Sequence, residues 1–508
     1  MNANLYALFA SRFPQDRSAC CIETHDGLFY TWDDIDRASA RIANLLAGLN
    51  LPSDSRIAVQ VEKSPEALIL YLATIRAGYV YLPLNTAYRV SEMEYFIGDA
   101  EPAVVVCSPA NFGWVSKIAF QSGTRHVFTL GERRDGSLLA RAAHQSDSFE
   151  PVEKQPDDLA VILYTSGTTG RSKGAMLTHG NLASNAKVLQ EYWRWQDGDV
   201  LLHALPLFHI HGLLVASHGA LLNGSKMIFL PKFDAGQVMQ YLPRSTIFMG
   251  VPTYYVRLLA DPAFGKEVCA NMRLFVSGSA PLLLDTFNEF IRRTGHTILE
   301  RYGMSETVML VSNPYDGPRV GGTVGLPLPG VSVRVTKDGR ECATGDIGNI
   351  EVRGPNVFKG YWRMPEKTAE EFTADGYFKT GDVGRFDANG YLSIVGRSKD
   401  LIISGGYNVY PKEIESLLDD VDGVAESAVI GLPHPDFGEA VVAAVVVRLG
   451  AVLTEAALIA HAKASIANYK VPKRIFFVSE LPRNTMGKVQ KNLLREQFKD
   501  TFQALAAI

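Results

Sequence analysis

Through roughly the first 400 residues, short apolar runs alternate with amphipathic stretches of helical period, and few folds accept that pattern. Residues 56–61 read as a strand, 65–76 as a helix and 79–82 as a second strand. Further short apolar runs fall at 103–107, 161–164, 227–230 and 274–276. This rhythm predicts parallel sheets covered by helices, with ligands taken in crevices at the carboxyl ends of the strands. Near Val320 the texture changes, and glycine-rich, alternating sequence continues to Arg397. Asn389-Gly390 predicts a hairpin turn there, so this section reads as an antiparallel sheet. Beyond a short polar stretch, strands are expected at 426–430 and 441–447 and helices at 455–466 and 490–499. The expected architecture is α/β. A large N-terminal domain (1–397) combines parallel sheets with the antiparallel section, a hinge lies at 396–400, and a small mobile α+β domain follows at 401–508.

Composition mainly excludes. Apolar residues at 47% and charged residues at 20% allow sizeable cores and rule out global disorder. Fifty Lys and Arg against 54 Asp and Glu give net −4, which argues against a coat for nucleic acid or anionic membrane. The five cysteines form no Cys-x-x-Cys pair, so neither a disulfide framework nor a thiolate zinc site is expected. No basic-then-apolar leader and no long apolar run is visible, and a cytoplasmic location without membrane insertion is the expectation.

The richest local signal is Tyr164-Thr165-Ser166-Gly167-Thr168-Thr169-Gly170-Arg171-Ser172-Lys173-Gly174, directly after an apolar strand. Its glycines let the backbone present N–H groups, and its hydroxyls and lysine add donors for phosphate oxygens. The order is not that of a Walker loop, and residues 175–178 read as a strand rather than a helix. No Gly-x-Gly-x-x-Gly occurs, which weakens a dinucleotide-binding reading.

With these residues the chain resembles the adenylate-forming family: acyl-CoA synthetases, peptide-synthetase adenylation domains and luciferases. Six further segments follow in family order: Leu205-Pro206-Leu207-Phe208-His209, Ser277-Gly278-Ser279-Ala280-Pro281, Arg301-Tyr302-Gly303-Met304-Ser305-Glu306-Thr307, Tyr377-Phe378-Lys379-Thr380-Gly381-Asp382, Gly396-Arg397-Ser398-Lys399-Asp400 and Pro482-Arg483-Asn484-Thr485-Met486-Gly487-Lys488. The resemblance implies two steps: a carboxylate attacks the α-phosphorus of ATP to give acyl-AMP and pyrophosphate, then a thiol displaces AMP. It implies that Thr165, Ser166, Gly167, Thr168, Thr169, Gly170 and Lys173 cradle the β- and γ-phosphates. Glu306 and Thr165 would hold Mg²⁺ through hard oxygen ligands. Ser279, Ala280 and Pro281 would lie against adenine with Tyr302 on its face, followed by Gly303, Met304 and Ser305. Asp382 would take the ribose hydroxyls and Arg397 the ribose side.

Lys488 sits in a run of nine cations and two acids between Lys463 and Lys499. Such a run is ordinarily a solvated basic face; the resemblance instead makes Lys488 the cation that bridges carboxylate and α-phosphate during adenylation. It must then leave to admit the thiol, which implies rotation about Asp400. Gly405, Gly406 and Tyr407 would line the pantetheine tunnel of CoA. No carrier-protein motif accompanies the adenylating unit, so a freestanding ligase using ATP, Mg²⁺ and CoA is expected; its oligomeric state is open.

Within the family the closer resemblance is to malonyl-CoA synthetases, through 82–88, 299–304, 361–367 and 408–411. Arg301 is the most telling residue, because a guanidinium facing the acyl pocket can pair with the second carboxylate of a diacid. Arg257 is a second candidate, its alternative being a solvated helix arginine. The chain departs from that subfamily at His209-Ile210-His211, which usually has a threonine between its histidines. Val308 and Met309 open a stretch more apolar than usual. Both changes are compatible with a malonate-only pocket and with a less polar acid such as a short- or medium-chain monocarboxylate. A carrier-protein adenylating enzyme remains a rival reading.

Overall fold

The computed structural model describes residues 2–165, 172–404, 407–434 and 437–502. The chain divides into two compact units, one reaching Ser332 and including Arg353–Gly376, the other comprising Val333–Val352 and Tyr377 onward.

The first unit carries two large sheets. In one, Arg56–Gln60 lies parallel to both Val80–Pro83 and Val104–Cys107, and Val80–Pro83 is followed laterally by Leu159–Tyr164, also parallel. These strands are buried along nearly their whole length, as strands covered on both faces must be. The helix Pro65–Arg76 is buried all round, begins on proline and is capped by Ser64, whose Oγ accepts from Ala67 N–H at 3.1 Å. Leu159–Tyr164 then pairs antiparallel with Gly174–Thr178, which pairs antiparallel with the short strand Gly360–Tyr361. The Gly/Ser/Thr-rich segment 165–173 therefore joins two antiparallel strands, and a strand stands at Gly174–Thr178 where 175–178 was expected.

The other sheet places Leu274–Ser277 parallel to Ile247–Gly250 and to Ile298–Met304. Ile298–Met304 turns back sharply into the antiparallel Val308–Ser312. Residues 277–281 and 301–305 thus leave the carboxyl ends of adjacent parallel strands, where an α/β sheet takes its ligands.

The second unit holds an antiparallel sheet in which Phe378–Phe386 pairs with Gly348–Arg353 and Leu392–Arg397. The hairpin expected at Asn389-Gly390 is present, with Gly390 at φ +82°. This sheet groups with the C-terminal residues because the helix Pro411–Asp419 packs on the strand Leu392–Arg397. Beyond it, Val424–His434 and Gly438–Val447 form a long antiparallel pair, backed by Glu455–Ser465 and Lys491–Phe498. Among the described residues no helix is long and apolar enough to cross a membrane.

Candidate active site

Thr165 and Lys173 stand at the two ends of the Gly/Ser/Thr-rich segment, where Thr165 N–H donates to Lys173 O at 2.9 Å. Ser166, Gly167, Thr168, Thr169 and Gly170 lie outside the described residues. Glu306 is buried, 6% exposed, in the turn after Ile298–Met304. The Tyr361 hydroxyl donates to its Oε1 at 2.9 Å. Lys173 Nζ lies 4.1 Å from the centroid of the same Tyr361 ring and 3.6 Å from Glu371. The oxygen donors Glu306 and Thr165 suit Mg²⁺, and no cluster of three or more His, Cys, Asp or Glu able to hold a metal occurs among the described residues. That pairing fits an ion that keeps most of its shell from water and nucleotide phosphates.

On the strand Ile298–Met304, Arg301 is 3% exposed. Its Nε and Nη2 are buried without a hydrogen-bond partner among the described residues. Gly278 makes the space: a Cβ there would stand 2.3 Å from Arg301 Cζ. Burial lowers the pKa of Arg301 to about 9, opposed by Tyr255 and Glu300. Burial, and then the Arg301 charge, lower the pKa of His209 to about 3 and that of His211 well below the ordinary histidine value. Both rings are therefore neutral at pH 7. His209 Nδ1 accepts from His211 N–H at 3.2 Å, which leaves its proton on Nε2 as a donor.

Ile210, between the two histidines in sequence, is buried, as are Val308 and Met309. Val308 has φ +53° and Ser279 φ +72°, unusual for residues with side chains and most costly for a β-branched one. Two asparagines hold the Val308 turn. Asn185 Nδ2 donates to Met309 O at 2.8 Å, and Asn356 Nδ2 donates to Thr307 O and Met309 O at 2.6 and 3.0 Å. Gly303 admits this turn, since a Cβ there would lie 1.8 Å from Val308 O. Ser279, Ala280, Tyr302, Met304 and Ser305 are half-buried and Pro281 is exposed. Arg257, the second candidate, is exposed on the helix Pro252–Leu259 and joins no ion pair among the described residues.

In the second unit, Asp382 and Arg397 face each other across neighbouring strands, and Arg397 Nε donates to Asp382 Oδ1 at 2.7 Å. Lys488 sits in a tight loop whose backbone is tied by Asn484: its Oδ1 accepts from Met486 and Lys488 N–H at 3.0 and 2.9 Å. Gly487 takes φ +74° there, and this turn is the reason for the glycine in the motif. Burial and then Arg397 lower the pKa of Lys488, with Asp382 and Asp400 opposing. The basic run is not a free solvated face. Lys470 pairs with Glu413, Lys491 with Glu415, Arg495 with Asp400 and Arg483 with Glu426. Lys488 Nζ makes no ion pair among the described residues. Lys399, its neighbour in this field, has its pKa lowered to about 8 by burial, Arg397 and Lys488. Tyr407 is exposed and stacks on Tyr469 at 4.7 Å; Gly405 and Gly406 lie outside the described residues.

Sequence models of the AMP-binding enzyme and of its C-terminal domain match residues 7–362 and 413–488. The chain belongs to the AMP-binding enzyme family. Among AMP-binding enzymes, a malonate–CoA ligase of Arabidopsis thaliana is 36% identical, with 98% of this chain and 90% of that one covered. The mitochondrial malonate–CoA ligase ACSF3 of Mus musculus is also 36% identical, over 87% of this chain and 82% of its own length. The crystal structure of ATP-bound MatB from Rhodopseudomonas palustris is 55% identical and superimposes with a TM-score of 0.97, covering 99% of this chain and all of that one.

Sequence reasoning missed Gly278, Tyr361, Asn185 and Asn356. Gly278 and Tyr361 stand inside family segments, where a glycine or tyrosine beside charged partners was the available signal. The asparagines carried none.

Proposed function

We propose that this AMP-binding enzyme is an ATP-dependent malonate–CoA ligase that forms malonyl-AMP and then malonyl-CoA. The observation that carries the acid is Arg301: a buried guanidinium with two unpartnered donors calls for an anion, and a monocarboxylate leaves none for it once its single carboxylate reacts. The sequence similarity to malonate–CoA ligases supports the same acid.

In this reading the Arg301 fork holds the distal carboxylate, and Ile210, Val308 and Met309 flank the C2 carbon. His209, neutral, donates from Nε2 near the reacting end. Lys173, with the loop of Thr165 and Ser166 to Gly170, takes the β- and γ-phosphates. Glu306 and Thr165 hold Mg²⁺, which neutralises phosphate charge when bound. Ser279 to Pro281 and Tyr302 to Ser305 receive the adenine, and Asp382 and Arg397 the ribose. The Lys488 ammonium serves the reacting carboxylate and the α-phosphate, where negative charge accumulates. Asp400 is the hinge that lets Lys488 withdraw, and Gly405, Gly406 and Tyr407 meet the pantetheine of CoA. The partners are small molecules, and the cytoplasm is the proposed location.

Pyrophosphate release should be measured for malonate, methylmalonate and butyrate, with and without CoA. Malonate should give the highest kcat/KM, and thioester should form with free CoA. A preference for butyrate would transfer the site to a monocarboxylate ligase; adenylation without thioester on CoA would favour a carrier-protein acceptor.

A further inference from the structure

Residues 354–362 form a strap between two parts of the first unit that the sequence does not connect. On one side, Lys359 N–H donates to Met176 O at 2.9 Å and Trp362 N–H to Gly174 O at 2.8 Å, so the strap is sewn to the strand leaving the phosphate loop. On the other, Phe358 N–H donates to Glu306 O at 2.8 Å, and Asn356 ties down the carbonyls of Thr307 and Met309. Tyr361 sits at the crossing, 3% exposed. Its hydroxyl donates to Glu306 Oε1 at 2.9 Å, and the Lys173 ammonium lies 4.1 Å from its ring centroid. Tyr361 is itself fixed, because its N–H donates to Thr368 Oγ1 at 2.9 Å.

We infer that Tyr361 is a positioning residue for adenylation: its hydroxyl orients the Glu306 carboxylate and its ring seats the Lys173 ammonium, so one side chain sets the metal-binding acid and the phosphate lysine in register. The inference rests on the reading that Glu306 binds Mg²⁺ and Lys173 the triphosphate. A carboxylate has several lone-pair sites, so one phenol hydrogen bond fixes its rotamer and leaves capacity for a cation. The ring face holds the ammonium beside its single 3.6 Å contact with Glu371, and an ammonium with three N–H donors keeps others for phosphate.

The test compares Tyr361→Phe, Tyr361→Leu and Glu306→Gln with the parent. Metal binding is read directly, by Mn²⁺ electron paramagnetic resonance titration in the presence of the α,β-methylene analogue of ATP. Tyr361→Phe keeps the ring and the packing. It should raise the metal concentration at half-saturation about tenfold, the scale of a lost hydrogen bond to a charged group, with little change in Tm. Thioester formation from preformed malonyl-AMP and CoA, which uses no triphosphate, should stay near the parental rate. Tyr361→Leu should in addition weaken binding of the analogue, because the seat of Lys173 is gone. Parental metal affinity in Tyr361→Phe overturns the inference when Glu306→Gln loses metal; parental affinity in both variants overturns the reading of Glu306 itself.

Discussion

Replacing Arg301 should separate catalysis from stability in opposite directions. The guanidinium is 3% exposed, lies against Gly278, and leaves Nε and Nη2 without a hydrogen-bond partner among the described residues. A malonate whose distal carboxylate is held there forms a desolvated charge pair. Truncating one partner of such a pair costs about 2–5 kcal/mol, so Arg301→Ala should lower kcat/KM for malonate by ~10²-fold or more. Butyrate should be spared or favoured, since its methyl end gains nothing from a charge. The free enzyme carries the reverse effect. The folded chain holds the Arg301 proton only up to about pH 9, well below the pH at which an unfolded arginine gives it up. At about 1.4 kcal/mol per pK unit, keeping that charge buried at pH 7 costs the unliganded fold several kcal/mol. Arg301→Met, which fills the volume without the charge, should therefore raise Tm in the absence of ligand. Malonate should raise the Tm of the parent and leave that of Arg301→Met unchanged. Steady-state kinetics on both acids and thermal melts with and without malonate read the two halves. An Arg301→Ala enzyme that keeps parental kcat/KM for malonate would refute the reasoning.

Gly278→Ala places a methyl 2.3 Å from Arg301 Cζ and should displace the guanidinium, reproducing the malonate loss of Arg301→Ala in the same kinetic assay. Lys488→Ala should abolish malonate-dependent ATP–pyrophosphate exchange yet still convert preformed malonyl-AMP and CoA to thioester; normal exchange would contradict its role. Because the pKa of Lys488 lies below that of an ordinary lysine, the neutral amine forms earlier as pH rises. The alkaline limb of adenylation should accordingly fall below pH 10.5 and move upward in Lys488→Arg. Asp400→Pro fixes φ near −65° and should preserve one half-reaction while losing the other, as two single-turnover assays would show; equal loss of both in a folded variant would remove position 400 as the pivot. His179, buried with Nδ1 accepting from Leu5 N–H at 3.0 Å, has its pKa lowered to about 4. The unfolded chain takes that proton first, so its contribution to stability is full above pH 6.5 and is lost as pH falls toward 4. Urea midpoints should drop from pH 7.5 to 5, and less steeply in His179→Asn.

The sequence by itself determined the alternating strands and helices, the Asn389-Gly390 hairpin, the strand after the phosphate loop and the family to which the chain belongs. These follow from periodicity and from short motifs, because backbone hydrogen bonding and turn geometry act between near neighbours. Only the tertiary structure decided what each motif residue faces. Arg301 was legible as a charge near the acyl pocket, but its missing counter-ion and the space beneath Gly278 depend on two adjacent strands. Tyr361 meets Glu306 across a strap that chain order does not reveal, and Arg257, the second candidate on paper, is exposed on its helix. Nor does the basic run show its partners in sequence: Glu413, Glu415, Glu426 and Asp400 pair with Lys470, Lys491, Arg483 and Arg495. Burial and pairing are properties of two distant segments at once, and a single stretch of sequence carries only one of the two partners.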